Sequence, residues 1–263
     1  IMERNKMDVK AVILDVDSTL TAGINKPVVD SAIEACNLLQ RKGIKVVIAS
    51  GRPHYGIPAI EGKIFPDYYI ACNGHIFADK DLRVLDAKYL AGNLFARIND
   101  FCQKQHIGIF WKFVDGCYVY VYTEKMDQIL NSLKMNSVDK HPDENALPVA
   151  GALVGTREQM EMVRKEFEEE MDVIDGSYIL FDLDQKGISK KTGMEMLEKL
   201  TGIKARQCVA FGDSDNDLTM VEYAGLGIAM GNGYDTVKKI ADYVTDTAEN
   251  DGIIKALRKF NII

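Results

Sequence analysis

The chain has 263 residues, 47% of them hydrophobic and 27% charged, the balance of a globular protein able to bury one large core or two modest ones. Its formal charge of −7, with no basic tract to offset it, argues against a nucleic-acid binder or a protein of anionic membrane surfaces. Five scattered cysteines without CxxC spacing suit a reducing cytosol better than a disulfide framework, and no apolar run approaches the roughly 20 residues of a spanning helix, so a cytoplasmic location is expected.

In chain order, residues 10–14 predict a strand and 28–42 an amphipathic helix that stops at Gly43. A second strand, 45–49, ends at Ser50-Gly51-Arg52-Pro53, and a third, 68–72, ends at Asn73-Gly74. Such alternation predicts parallel β-α-β units. The character then changes. Segments 107–113 and 117–123 flank the turn Val114-Asp115-Gly116 and read as an aromatic-rich antiparallel hairpin, with the rings more suited to a core than to a ligand platform. A strand near 151–154, a charged helix over 156–171 and a strand over 178–183 follow. The parallel pattern resumes with helix 190–201, strand 207–211, helix 216–224, strand 226–229, helix 234–240 and a short strand at 242–244. The expected fold is α/β: a Rossmann-like parallel-sheet core over 1–81 and 184–263, interrupted by an inserted α+β cap over 82–183.

Two buried runs stop abruptly at carboxylates. Ala11–Leu14 delivers Asp15-Val16-Asp17-Ser18-Thr19, and residues 208–211 deliver Gly212-Asp213-Ser214-Asp215-Asn216-Asp217. In open α/β sheets ligands bind at such strand ends. If the two strands are neighbours, at least three carboxylates meet, and like charges about 4 Å apart repel by roughly 4 kcal/mol at an effective dielectric near 20. A hard, oxygen-seeking cation relieves that, most simply Mg²⁺.

The same strand ends carry the groups that phosphoryl transfer uses. Asp15 can attack phosphorus, and Asp17, two residues on, can protonate the leaving oxygen and then activate water. Thr19 can shape the loop through a local hydrogen bond. Ser50 offers a hydroxyl and a nearby backbone N–H to phosphate, and Gly51 and Arg52 in the same loop are further candidate phosphate ligands. Lys190 combines a positive charge with a helix N-terminus. Asp182-Leu183-Asp184 is a second DxD, but Lys186 stands where the first motif has Thr19, and it reads as a loop near the site.

Taken together, DVDSTL, ASGR, SKKTG and GDSDND resemble the haloacid dehalogenase superfamily, more narrowly its Cof-type phosphatases with a large α/β lid between the second and third motifs. The resemblance extends to Asn73-Gly74 and to the closing stretches 227–232, 241–245 and 249–253. It implies Asp15 as nucleophile, Asp17 as acid and base, and Ser50 and Lys190 as phosphate ligands. It further implies Mg²⁺ held by Asp15, the Asp17 backbone carbonyl and Asp213, with Asp217 in outer support and Asn216 close to the phosphate. One departure stands out: Ser18 occupies a position where the lidded phosphatases usually carry glycine, and an extra hydrogen bond near the site is expected there.

The expected function is Mg²⁺-dependent hydrolysis of small phosphorylated metabolites, hexose phosphates first, through an aspartyl-phosphate. A phosphosugar mutase and a non-catalytic phosphometabolite-binding protein are the rival readings. The latter has little use for Asp17 beside Asp15.

Overall fold

Ala11–Leu14 is completely buried and forms β1, a strand covered on both faces. The computed structural model describes residues 7–57, 60–132, 139–176 and 179–263. Helix α1 (Asp30–Arg41) follows, turning Ala32, Ala35, Cys36 and Leu39 inward at three- and four-residue spacing. Strands β2 (Lys45–Ala49) and β3 (Tyr68–Ala71) continue the parallel pairing from β1. Two unexpected strands come next. After the tight turn at Asn73-Gly74, β4 (Ile76–Asp79) pairs antiparallel with β3, and β5 (Val84–Ala87) takes the sheet edge.

Residues Ala87–Ile188 form a separate compact unit. Its elements are α2 (Gly92–Gln105), β6 (Gly108–Lys112), β7 (Cys117–Val121), α3 (Met126–Ser132), β8 (Ala150–Val154), α4 (Arg157–Glu166), β9 (Met171–Asp175) and β10 (Leu180–Gln185). The five strands make an antiparallel sheet in the order β7-β6-β8-β10-β9. On one face Trp111, Phe113, Leu153 and Leu183 pack with Leu94 and Ile98 of α2 and Met160 and Val163 of α4. On the other, Phe110, Val119 and Ala152 pack with Met126 of α3. The aromatic side chains here are chiefly core, as the sequence reading expected.

Three expectations need correction in this unit. The charged helix stops at Glu166 instead of 171, because Met171–Asp175 extends and pairs along β10. Asp182-Leu183-Asp184 lies inside β10, not in a loop, with Asp182 taking an ion pair from Lys112 at 2.6 Å. The strand expected from 178 is seen as Leu180–Gln185, while Tyr178 lies outside the described residues.

The first unit then resumes with α5 (Lys190–Thr201), β11 (Cys208–Gly212), α6 (Leu218–Tyr223), β12 (Leu226–Ala229), α7 (Asp235–Ile240), β13 (Tyr243–Val244) and α8 (Gly252–Lys259). The units divide after Asp86 and before Ser189, a few residues beyond the expected 81 and 184, because β5 extends one sheet and β10 completes the other. The larger sheet runs β13-β12-β11-β1-β2-β3-β4-β5, with α1 against α8. Helices α5, α6 and α7 cover the face presented by Ile13, Val47, Ile70 and Ala210.

From β1 the chain winds outward to β2 and β3 on one side, and from the neighbouring β11 outward to β12 and β13 on the other, so the boundary between β1 and β11 is a topological switch point. Registers Leu14↔Ile48 and Leu14↔Phe211 align the three strand ends. Residues that follow β1, β2 and β11 therefore emerge at one edge of one sheet. No helix among the described residues is long and apolar enough to cross a membrane.

Candidate active site

Asp15 follows β1, its backbone N–H donating to the Phe211 carbonyl of β11 at 3.1 Å. Asp213 follows β11, and Ser50 follows β2. Lys190 opens α5 and is fully buried. Its ammonium donates to Asp15 Oδ1 at 2.7 Å and to Asp217 Oδ1 at 2.6 Å. Asp15, Asp213 and Asp217 each offer a buried carboxylate oxygen within 4.8 Å of the others. Residues up to 202 positions apart in sequence thus share one polar cluster beneath the sheet edge.

The electrostatics of this cluster are those of a cation site. One ammonium faces three carboxylates, so negative charge stays uncompensated in a poorly hydrated place. Burial holds the Asp15 carboxyl well above the ordinary carboxylate range; Lys190 opposes that rise, and Asp217 and Asp213 add to it. Burial, then the Asp217 charge, pushes Asp213 up to about 7 against the pull of Lys190 and a hydrogen bond from Thr19. For Lys190 burial works against the charged form, yet Asp15 and Asp217 outweigh it and raise the ammonium above its usual value. An all-oxygen donor set with surplus negative charge fits a hard divalent cation such as Mg²⁺.

The three carboxylates are not equivalent. Both oxygens of Asp217 are committed, Oδ1 to Lys190 and Oδ2 to the backbone N–H groups of Asp213 at 2.9 Å and Ser214 at 3.1 Å. Asp217 holds the lysine and its own turn, which leaves Asp15 and Asp213 as the better metal-ligand candidates. Gly212 is required beneath this turn, since a Cβ there would meet the Asp217 Cβ at 2.4 Å.

The structure groups Asp17 and Arg52 differently from the sequence expectation. Arg52 does not stand as an isolated phosphate ligand. Its guanidinium forks onto Asp17, Nε to Oδ2 at 3.1 Å and Nη2 to Oδ1 at 3.2 Å. The Asp17 side chain keeps 27% exposure and lies outside the buried carboxylate cluster. Ser50 is buried, its Oγ accepting from the Arg52 backbone N–H at 3.2 Å, so Ser50, Gly51 and Arg52 make one tight turn.

Ser18 adopts a φ of 66°, in the left-handed region that glycine visits without strain. The departure from the glycine that the resemblance expects therefore has a conformational side. The strained residue is held from both sides: its N–H donates to Thr21 Oγ1 at 3.1 Å, and its carbonyl accepts from Asn232 Nδ2 at 2.8 Å. Thr19 reaches further than a local loop bond, its hydroxyl donating to Asp213 Oδ1 at 3.2 Å. Asn73 accepts from Asn216 Nδ2 at 3.1 Å, which ties the end of β3 to the turn after β11. Sequence reasoning gave Asn232 no place in the site beyond the closing stretch 227–232, and took Asn73 as a neighbour of the site without a role. The Asn-Gly pair at the end of an apolar strand was the available signal for the second.

A buried ammonium and a cluster of buried carboxylates at one strand edge can hold a cation and a phosphate and neutralise charge building on it. A family model described as haloacid dehalogenase-like hydrolase matches residues 12–257. The chain is 26% identical to the 5-amino-6-(5-phospho-D-ribitylamino)uracil phosphatase YcsE of Bacillus subtilis, covering 98% of each chain. Among solved structures it is similar to the phosphatase BT1666 from Bacteroides thetaiotaomicron, with 27% identity, a TM-score of 0.87 and coverage of 100% of this chain and 99% of that one. It is also similar to the subclass IIB sugar phosphatase BT4131, with 28% identity, a TM-score of 0.84 and coverage of 97% and 100%.

Proposed function

The chain belongs to the haloacid dehalogenase-like hydrolase family, and from that premise we propose that it hydrolyses small phosphorylated metabolites, sugar phosphates foremost, with Mg²⁺ and through an aspartyl-phosphate on Asp15. The enzyme class, a phosphoric monoester hydrolase, comes with the family and its phosphatase relatives. The observation that carries the rest is the buried bridge from Lys190 to Asp15 and Asp217 with Asp213 alongside.

In this reading Asp15 and Asp213, with the Asp17 backbone carbonyl, hold the cation. When bound, Mg²⁺ would supply positive charge that offsets the phosphoryl group's negative charge and favours the ionised form of Asp15. Lys190, Ser50 and the Gly51 backbone grip the remaining phosphate oxygens. An Asp15 oxygen attacks phosphorus, the bond to the ester oxygen breaks, and Asp17 gives its proton to that oxygen as the alcohol leaves. Asp17, now a carboxylate, takes a proton from water, and the resulting attack on phosphorus releases phosphate and restores Asp15. To do this Asp17 must leave the Arg52 ion pair and take up a proton from solvent before the leaving oxygen departs, while a dianionic phosphate offers Arg52 a replacement partner. In this proposal the separate unit Ala87–Ile188 is the specificity domain that discriminates among leaving groups.

The test is a phosphate-release screen over phosphorylated metabolites with Mg²⁺ and with a chelator. Release from sugar phosphates that depends on Mg²⁺ and disappears in Asp15→Asn is expected. Undiminished release under chelation, or Asp15→Asn activity above about a tenth of wild type, contradicts the mechanism.

A further inference from the structure

Cys72, Asn73 and Gly74, directly after β3, have φ values of 48°, 51° and 101°, three consecutive residues in left-handed backbone. For the two non-glycine residues that conformation costs on the order of 1–3 kcal/mol each and persists only where the surroundings enforce it. Here they do. The Cys72 N–H donates to the Arg52 carbonyl at 3.0 Å and the Asn73 N–H to the Ser50 carbonyl at 3.0 Å. Gly74 passes so close to the start of α5 that a Cβ would lie 1.9 Å from the Ser189 carbonyl, immediately before Lys190. The Asn73 side chain, 2% exposed, accepts from Asn216 Nδ2. Asn216 Oδ1 in turn accepts from Ser214 Oγ at 2.8 Å, beside the N–H groups that hold Asp217.

One strained turn therefore touches the Ser50 loop, the Lys190 helix start and the Asp213–Asp217 turn. We propose that Asn73 is a positioning residue for phosphoryl transfer, acting through Asn216 to align the turn after β11 with the Ser50 loop. This rests on the phosphatase reading above. An amide nitrogen carries two hydrogens, so Asn216 can bind Asn73 with one and present the other to a phosphate oxygen. The Asn73 carbonyl oxygen, which can accept and never donate, fixes which way the Asn216 amide faces.

Asn73→Gly separates positioning from folding, because glycine accepts the φ of 51° while losing the carboxamide. The experiment is a double-mutant cycle of Asn73→Gly and Asn216→Ala, read as kcat and KM for Mg²⁺-dependent phosphate release together with melting temperature. Expected are a kcat reduced about 10- to 100-fold by Asn73→Gly, a KM changed much less, an unchanged melting temperature, and a double variant no slower than Asn216→Ala alone. Single effects that multiply in the double variant overturn the proposal, as does Asn73→Gly within about twofold of wild type. An Asn73→Gly protein that fails to fold also overturns it, since Asn73 is then structural. Wild-type enzyme that releases no phosphate from any ester removes the parent reading, whereas an active wild type with a multiplicative cycle removes the Asn73 role alone.

Discussion

At the scale of single residues the site combines committed and strained groups. Asp217 spends both oxygens on Lys190 and its own turn, and Ser18 holds a backbone conformation that glycine adopts more easily. Left-handed strain in a serine costs roughly 1–2 kcal/mol, while glycine loses about 0.4–1 kcal/mol more backbone freedom on folding. Ser18→Gly should therefore stabilise the protein by about 0.5 kcal/mol in urea unfolding. A destabilisation of that size would show that the serine side chain contributes more than its conformation costs. The acids, Ser50 and Lys190 were legible in sequence because each falls in a short motif at the end of an apolar run or the start of a helix. The links Thr19 to Asp213 and Asn216 to Asn73 were not, because they join residues 194 and 143 positions apart and leave no local pattern. The Asp17–Arg52 fork is of the same kind, a pairing set by how two loops meet.

At the scale of elements, placement of the site depends on how closely α5 approaches β3. A Cβ on Gly193 would sit 2.2 Å from Ile70 Cγ2, so the helix can lie where it does only with glycine there. Gly193→Ala should push α5 outward, cost about 1–3 kcal/mol in denaturant unfolding and lower activity by displacing Lys190. A variant as stable as wild type would mean that the glycine does not set this spacing. The strands beside the site read clearly from sequence, since β1, β2 and β11 are almost continuously buried apolar runs. Other elements were harder. In α2 only Leu94, Ile98 and Cys102 are buried, a narrow stripe behind an opening Gly92-Asn93. The acidic run 168–170 carried helical character past Glu166 and hid β9, whose strand identity comes from its pairing with β10.

At the scale of the whole molecule, a sheet that reverses its winding at β1 gathers groups from both ends of the chain at one edge. The arrangement concentrates buried negative charge around Lys190, a state that costs folding free energy unless a cation offsets it. The central claim is that Asp15 forms a bond to phosphorus during turnover. Rapid acid quenching of enzyme mixed with a sugar phosphate and Mg²⁺, followed by peptide mapping by mass spectrometry, tests it most directly. A phosphoryl group on Asp15 at early times, absent from the Asp15→Asn variant, is the expected result. Phosphate release at full rate with Asp15 never phosphorylated would contradict the account.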